Sequence, residues 1–109
     1  MRYAIATDGD QVAPHFGRCE LYEILDIENE QVLARKQMPC PAHEPGLLPK
    51  LLKEQGAQVV VCGGAGANAI DLFAASGVGM FVGVSGSLNQ VVTAIIAGEL
   101  VGGDSMCDH

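Results

Sequence analysis

Residues 58–97 hold two copies of one pattern: a short apolar run, a turn with glycine, then a helical segment. The first copy is Gln58-Val59-Val60-Val61-Cys62, followed by Gly63-Gly64-Ala65-Gly66 and a helix expected over about 67–76, with Gly77 as its stop. The second is Val78–Val84, then Ser85-Gly86-Ser87, then a stripe of Leu88, Val91, Val92, Ile95 and Ile96 to about residue 97. Ser87 and Gln90 have the spacing of a capping box. Continuous apolar runs of this length suit strands buried on both faces of a parallel sheet, and the intervening helices supply right-handed crossovers. Few architectures other than an α/β sheet accept that repeat.

The N-terminal half reads differently. Residues 2–7 predict a first strand, ended by Asp8-Gly9-Asp10. Residues 20–27 alternate as a second, and Glu28-Asn29-Glu30 turns into a third near 31–37, where Arg35 and Lys36 suit an exposed edge. Pro39, Pro41, Pro45 and Gly46 exclude regular structure over 39–46. A helix over about 47–55 presents Leu47, Leu48, Leu51 and Leu52 on one face and stops at Gly56. The order β-β-β-α-β-α-β-α predicts a five-stranded mixed sheet, order 3-2-1-4-5 with strand 2 antiparallel, and three helices. That is the ribonuclease-H-like arrangement. A flavodoxin-like fold is disfavoured because no helix fits between the first two strands.

Length and composition narrow the function classes. A chain of 109 residues, 49% of them hydrophobic, is expected to form a single domain over 1–109, with 98–109 as a glycine-rich flexible tail. The formal charge of −7 with six Lys plus Arg argues against nucleic acid as a partner. Every fixed positive charge precedes residue 54, so an anion held by the C-terminal half must rely on backbone N–H groups, helix dipoles or a metal. The first apolar segment is too short for a signal sequence and no run approaches a membrane span, so a cytoplasmic location is expected, with no membrane partner. Cysteines there stay reduced, either as small buried hydrophobes or as ligands.

Each histidine has a cysteine nearby: His15 with Cys19, Cys40 with His43, and Cys107 with His109. Imidazole and thiolate together suit iron, copper, zinc and metal–sulfur clusters. If strands 1, 3, 4 and 5 are parallel, their C-terminal ends share one rim, where ligands of open α/β sheets bind. That rim would collect His15, Cys19, Cys40 and His43 as candidate metal ligands. It would also collect the two glycine turns, with Gly64, Gly66, Ser85 and Gly86 at helix N-termini that attract anions. The plainer reading of those glycines is that they permit tight turns. Cys62 ends a buried strand and reads as a small apolar residue. Cys107 and His109 lie on the tail, where they could close the site, meet a partner or be disordered; the glycine-rich composition favours disorder.

Three enzyme readings fail. Gly64-x-Gly66-x-x-Ala69 imitates a dinucleotide fingerprint, but Val84-Ser85-Gly86 stands where a ribose-binding acid belongs. Asp8 and Asp10 lack the further carboxylates of two-metal nuclease chemistry. No Ser-His-Asp spacing emerges, and Cys19 beside His15 lacks a visible orienting group.

Residues 8–19 (Asp-Gly-Asp-Gln-Val-Ala-Pro-His-Phe-Gly-Arg-Cys), the turn at 63–69 (Gly-Gly-Ala-Gly-Ala-Asn-Ala) and the stretch at 83–100 resemble the dinitrogenase iron–molybdenum cofactor biosynthesis family, which includes NifX, NafY and the C-terminal domain of NifB. The resemblance spans nearly the whole chain, and His-Phe-Gly-Arg is its most specific part. It implies a ribonuclease-H-like fold and the binding or carriage of an iron–sulfur or molybdenum-containing cluster, without catalysis. It also implies His15 as a cluster contact, with Phe16, Gly17 and Arg18 shaping the loop. Ligand roles for Cys19, Cys40 and His43 rest on chemistry and placement. The expected function is a non-catalytic carrier of an iron–sulfur or iron–molybdenum-type cluster, with cluster donor and acceptor proteins as partners. An escort must release its cargo, which favours one or two protein ligands over four. The competing expectation is a regulatory or interaction module that binds a small anion at the same rim, without metal.

Overall fold

The computed structural model describes residues 1–16, 19–39 and 47–98. Its strands are β1 (Arg2–Asp8), β2 (Gln11–Val12), β3 (Leu21–Glu28), β4 (Gln31–Pro39), β5 (Val59–Val61) and β6 (Gly79–Phe81). The helices among these residues are α1 (Leu47–Glu54), α2 (Ala67–Ala75) and α3 (Leu88–Ala97). The fold is mixed α/β. The sheet runs β4-β3-β1-β5-β6, with β2 pairing β1 off that path. Strands β1, β5 and β6 pair in parallel, whereas β3 is antiparallel to both β1 and β4.

Five strands were expected and the sheet has six. The extra one, β2, has two residues and is antiparallel to the end of β1, with Thr7 opposite Val12 and Asp8 opposite Gln11. So short a segment has no periodicity to read; it is a strand because of its partners. Strands β5 and β6 are shorter than the apolar runs that contain them. The flanking residues still bond across: Gln58 N–H donates to Arg2 C=O at 2.9 Å, and Cys62 N–H to Phe81 C=O at 3.0 Å.

Alternation along the central strands divides the core in two. On one face Ala4, Ala6, Tyr22, Ile24 and Val60 pack with Leu52 of α1 and Phe73 of α2. On the other, Ile5, Leu25, Ile27 and Val61 pack beneath Leu88, Val91 and Ile95 of α3. Burial of both faces explains the unbroken apolar runs, each buried Val, Leu or Ile contributing about 1.5–3 kcal/mol. Among the described residues no helix is long and apolar enough to cross a membrane.

The outer strand β4 is exposed along nearly its whole length. Its attachment includes a buried carboxylate: Glu23 of β3 accepts from Arg35 Nε at 2.9 Å and Gln37 Nε2 at 2.6 Å. At the start of β1, Arg2 meets Asp26 through Nε–Oδ1 at 2.7 Å and Nη2–Oδ2 at 2.9 Å. The guanidinium hydrogen bonds hold the Asp26 carboxyl below the ordinary carboxylate range. The pair therefore favours the fold above that range, and its contribution is lost as acid protonates Asp26.

The β3–β4 hairpin turns at Asn29 and Glu30 with φ of 51° and 65°, both left-handed and neither glycine. Two-residue hairpin turns of this hand favour Asn-Gly. Glu30→Gly should raise stability by about 0.5–1 kcal/mol, because relief of left-handed strain outweighs the added chain entropy. A urea midpoint below that of the parent protein would contradict this account of the turn.

Candidate functional site

The C-terminal ends of β1, β5 and β6 open into three loops, and backbone hydrogen bonds join them. Ala13 N–H donates back to Ala6 C=O at 2.8 Å, while Ala13 C=O accepts from Gly63 N–H at 2.9 Å. Phe16 N–H donates to Gly64 C=O at 2.7 Å, and Gly83 N–H to Gly63 C=O at 2.8 Å. The β1–β2 turn joins the third loop: Val12 N–H reaches Gly86 C=O at 2.9 Å and Leu88 N–H reaches Asp10 C=O at 2.7 Å. The chain returns to the sheet where Glu20 N–H bonds Thr7 C=O at 3.1 Å and Asp8 Oδ1 at 2.8 Å.

Gly63 sits at the centre of this seam, and it must be glycine. A Cβ there would stand 2.8 Å from Pro14 Cα and 2.9 Å from Ala13 O, both backbone atoms that cannot swing aside. Gly64 is nearly as confined, its Cβ position lying 3.1 Å from Pro14 O. Close approach of two loops is thus what requires glycine at position 63.

The two helix starts at the rim differ in what they leave unsatisfied. At α3 the Ser87 hydroxyl accepts from Gln90 N–H at 3.2 Å and the Gln90 side chain accepts from Ser87 N–H at 3.0 Å, the capping box expected from their spacing. Gly86, at φ 111°, belongs to that arrangement, since a Cβ on it would lie 2.8 Å from Gln90 Oε1. With Leu88 N–H given to Asp10, this end has little left for a ligand. Ser85 is exposed beside it. At α2 the cap is Gly66, in extended conformation at φ −73° and ψ 159°, which gives the helix no side-chain cap. A Cβ at Gly66 would meet nothing within 4 Å. The uncapped start of α2 concentrates the partial positive charge of that helix at the rim.

His15 is exposed, one residue from the Phe16 amide that bonds Gly64, and so stands by the loop that opens α2. Phe16 is half-buried and turns its ring edge-to-face against Tyr22, at 5.7 Å and 61°, and against Phe73, at 5.3 Å and 82°. Cys19 is half-buried and, with Phe16, Met38 and Ala65, packs onto the core under the rim. Cys62 is wholly buried in that core, as its strand-end position led us to expect. Among the described residues no group of three His, Cys, Asp or Glu gathers closely enough to hold a metal ion. Gly17, Arg18, Cys40 and His43, like Cys107 and His109, lie outside the described residues.

A family model described as dinitrogenase iron–molybdenum cofactor matches residues 1–98. The chain belongs to that family. A crystal structure of PH0822 is similar over 92% of each chain, at 37% identity and a TM-score of 0.86. The orange protein of Desulfovibrio gigas, in its apo form, shares the fold over 94% of this chain and 92% of its own, with 22% identity and a TM-score of 0.77. MJ0580, an uncharacterized protein of Methanocaldococcus jannaschii, is 25% identical over 92% of this chain and 89% of its own. For this member of the dinitrogenase cofactor family, the matched region takes in all three rim loops.

The aromatic contacts of Phe16 escaped the sequence reading. A chain with only three Phe and two Tyr places three of those five rings together. That scarcity was the available signal. For the seam, Gly63→Ala should cost about 1–3 kcal/mol as overpacking and speed hydrogen exchange at the Phe16 amide. A variant with parental stability and exchange would show that the loops do not depend on this contact.

Proposed function

We propose that the protein is a non-catalytic carrier of an iron–sulfur or iron–molybdenum-type cluster, received from one protein and passed to another. The cluster sits at the rim beside His15 and the start of α2. The observation that carries this reading is the pairing of an exposed imidazole with an uncapped helix N-terminus across one short hydrogen-bonded seam. Imidazole supplies a metal ligand, and the open N–H groups of α2 offset the negative charge of sulfide-rich cargo.

The setting favours such cargo over a hydrated oxyanion. Phe16, Cys19, Met38 and Ala65 beneath the rim are apolar or sulfur-bearing, which suits a polarizable, weakly hydrated surface. The described cations belong to the start of β1, to β4 and to α1. Cys19 adds a thiolate from that layer, and Gly17, Arg18, Cys40 and His43, which lie outside the described residues, complete the proposed set. One or two direct ligands suffice for cargo that must leave again.

Anaerobic purification with iron, molybdenum, copper and zinc analysis, followed by titration with tetrathiomolybdate as a simple molybdenum–sulfide anion, tests this reading. Uptake is expected. Protein that stays colourless and binds molybdate or phosphate instead would favour the small-anion module. His15→Ala should weaken retention of the probe more than Cys62→Ala does, and equal losses with the fold intact would remove His15 from the site. Gly66→Asp separates stability from binding. The new carboxylate caps α2 and should stabilise the fold by roughly 0.5 kcal/mol. It should also weaken the probe about tenfold or more, by occupying the N–H donors and adding negative charge. Tighter binding in Gly66→Asp would place the guest away from α2.

A further inference from the structure

We propose that Phe73, a buried residue of α2, is a positioning residue for the rim: through Phe16 it determines where His15 stands relative to the start of α2. The inference rests on the carrier reading for its consequence, but its geometry is independent of any guest.

His15 is exposed, so its placement depends on the backbone that carries it. Among the described residues that backbone is tied to α2 and its approach on both sides: before His15 by Gly63 N–H to Ala13 C=O at 2.9 Å, and after it by two contacts of Phe16. One is the 2.7 Å bond from Phe16 N–H to Gly64 C=O, two residues before the Gly66 cap. The other is the ring of Phe16 standing edge-on to Phe73 at 5.3 Å and 82°. Phe73 is only 1% exposed and lies two helical turns beyond the cap, so it is as rigidly placed as the helix itself. Tyr22, fully buried on β3, meets the same Phe16 ring at 5.7 Å and adds a third direction of restraint.

The hydrogen bonds at Ala13 and Phe16 fix the two ends of the segment but leave it free to rock about the line between them. The ring contacts remove that freedom, and edge-to-face geometry is directional in a way that aliphatic packing is not. The backbone that carries the imidazole and the first turn of α2 are thereby held as one unit, so a guest touching both has only the His15 side chain left to order. Pre-organisation of this kind raises retention by lowering the ordering cost of binding.

Phe73→Leu keeps a buried apolar side chain but removes the ring edge. Val91→Ala, in the α3 face of the core and away from Phe16, serves as a control for general loss of stability. Two readouts decide the matter: the backbone 15N heteronuclear NOE at residues 15 and 16 without any guest, and the affinity for tetrathiomolybdate. We expect Phe73→Leu to lower the NOE at His15 and to weaken the probe about two- to tenfold, the worth of an aromatic pair, while Val91→Ala changes neither. Should Phe73→Leu not fold, Phe16→Leu, at a half-buried position that keeps its backbone donor, supplies the same comparison. A parental NOE at His15 in the folded variant overturns the proposal, as does an equal loss in Val91→Ala. If the parent protein does not bind the probe at all, the carrier reading fails while the NOE comparison still decides the role of Phe73.

Discussion

The rim is organised around one residue. Gly63 N–H bonds Ala13 C=O, and Gly63 C=O accepts from Gly83 N–H, so a single residue joins the loops that follow β2, β5 and β6. The approach is close enough that no side chain fits, with Pro14 Cα directly over the α-carbon. Two features set the rest of this edge, that contact and the pairing of β2 with β1. The Phe16 amide reaches Gly64 because residues 13 and 14 already lie against residue 63. The β1–β2 turn reaches Gly86 and Leu88 because β2 is held alongside β1. Paired backbone groups are what permit three irregular segments to lie against one another, since each unsatisfied one would cost about 1–3 kcal/mol.

The two strand–glycine–helix units are alike in sequence pattern but have different chemistry at the rim. One helix begins with a residue that cannot cap, the other with a side chain that caps and is capped in return. The two helix starts therefore differ among the described residues, with no side-chain cap from Gly66 at α2 and a reciprocal one between Ser87 and Gln90 at α3. Acidic side chains reinforce the difference. Asp8, Asp10 and Glu20 are exposed on the segments around β2, whereas Gly64, Ala65 and Gly66 at the start of α2 carry no charge. The carrier reading proposed above puts its anionic guest on the α2 side for that reason, by the loop that His15 adjoins.

Much of this was legible in the chain. Val59-Val60-Val61 announced a strand buried on both faces, Ser87 and Gln90 announced a cap, and Gly56 and Gly77 announced helix ends at φ of 83° and 76°. These features depend on residues within one or two turns of each other. Strand β2 was not legible, because two residues show no period and exist as a strand only against Thr7 and Asp8. The burial of Glu23 was hidden as well. A glutamate in an alternating run reads as solvent-facing, and it turns inward because Arg35 and Gln37 arrive from the next strand to satisfy it. At the site, proximity in sequence suggested His15 with Cys19. In the fold His15 is exposed while Cys19 packs into the layer below, which is a difference of depth that spacing does not encode.

By itself the sequence determined the stretches that become the helices and every strand but β2, where glycine ends them, that Ser87 and Gln90 cap one helix start, and that positive charge is confined to the first half. Each of these is local chemistry, set by neighbours along the chain. Tertiary structure alone decided that Gly63 lies under Pro14, that the Phe16 ring meets Phe73 and Tyr22, and that His15 is exposed beside the loop that opens α2. Those outcomes require segments remote in the chain to be brought together by the sheet, and a hydrogen bond or ring contact forms only once both partners are in place.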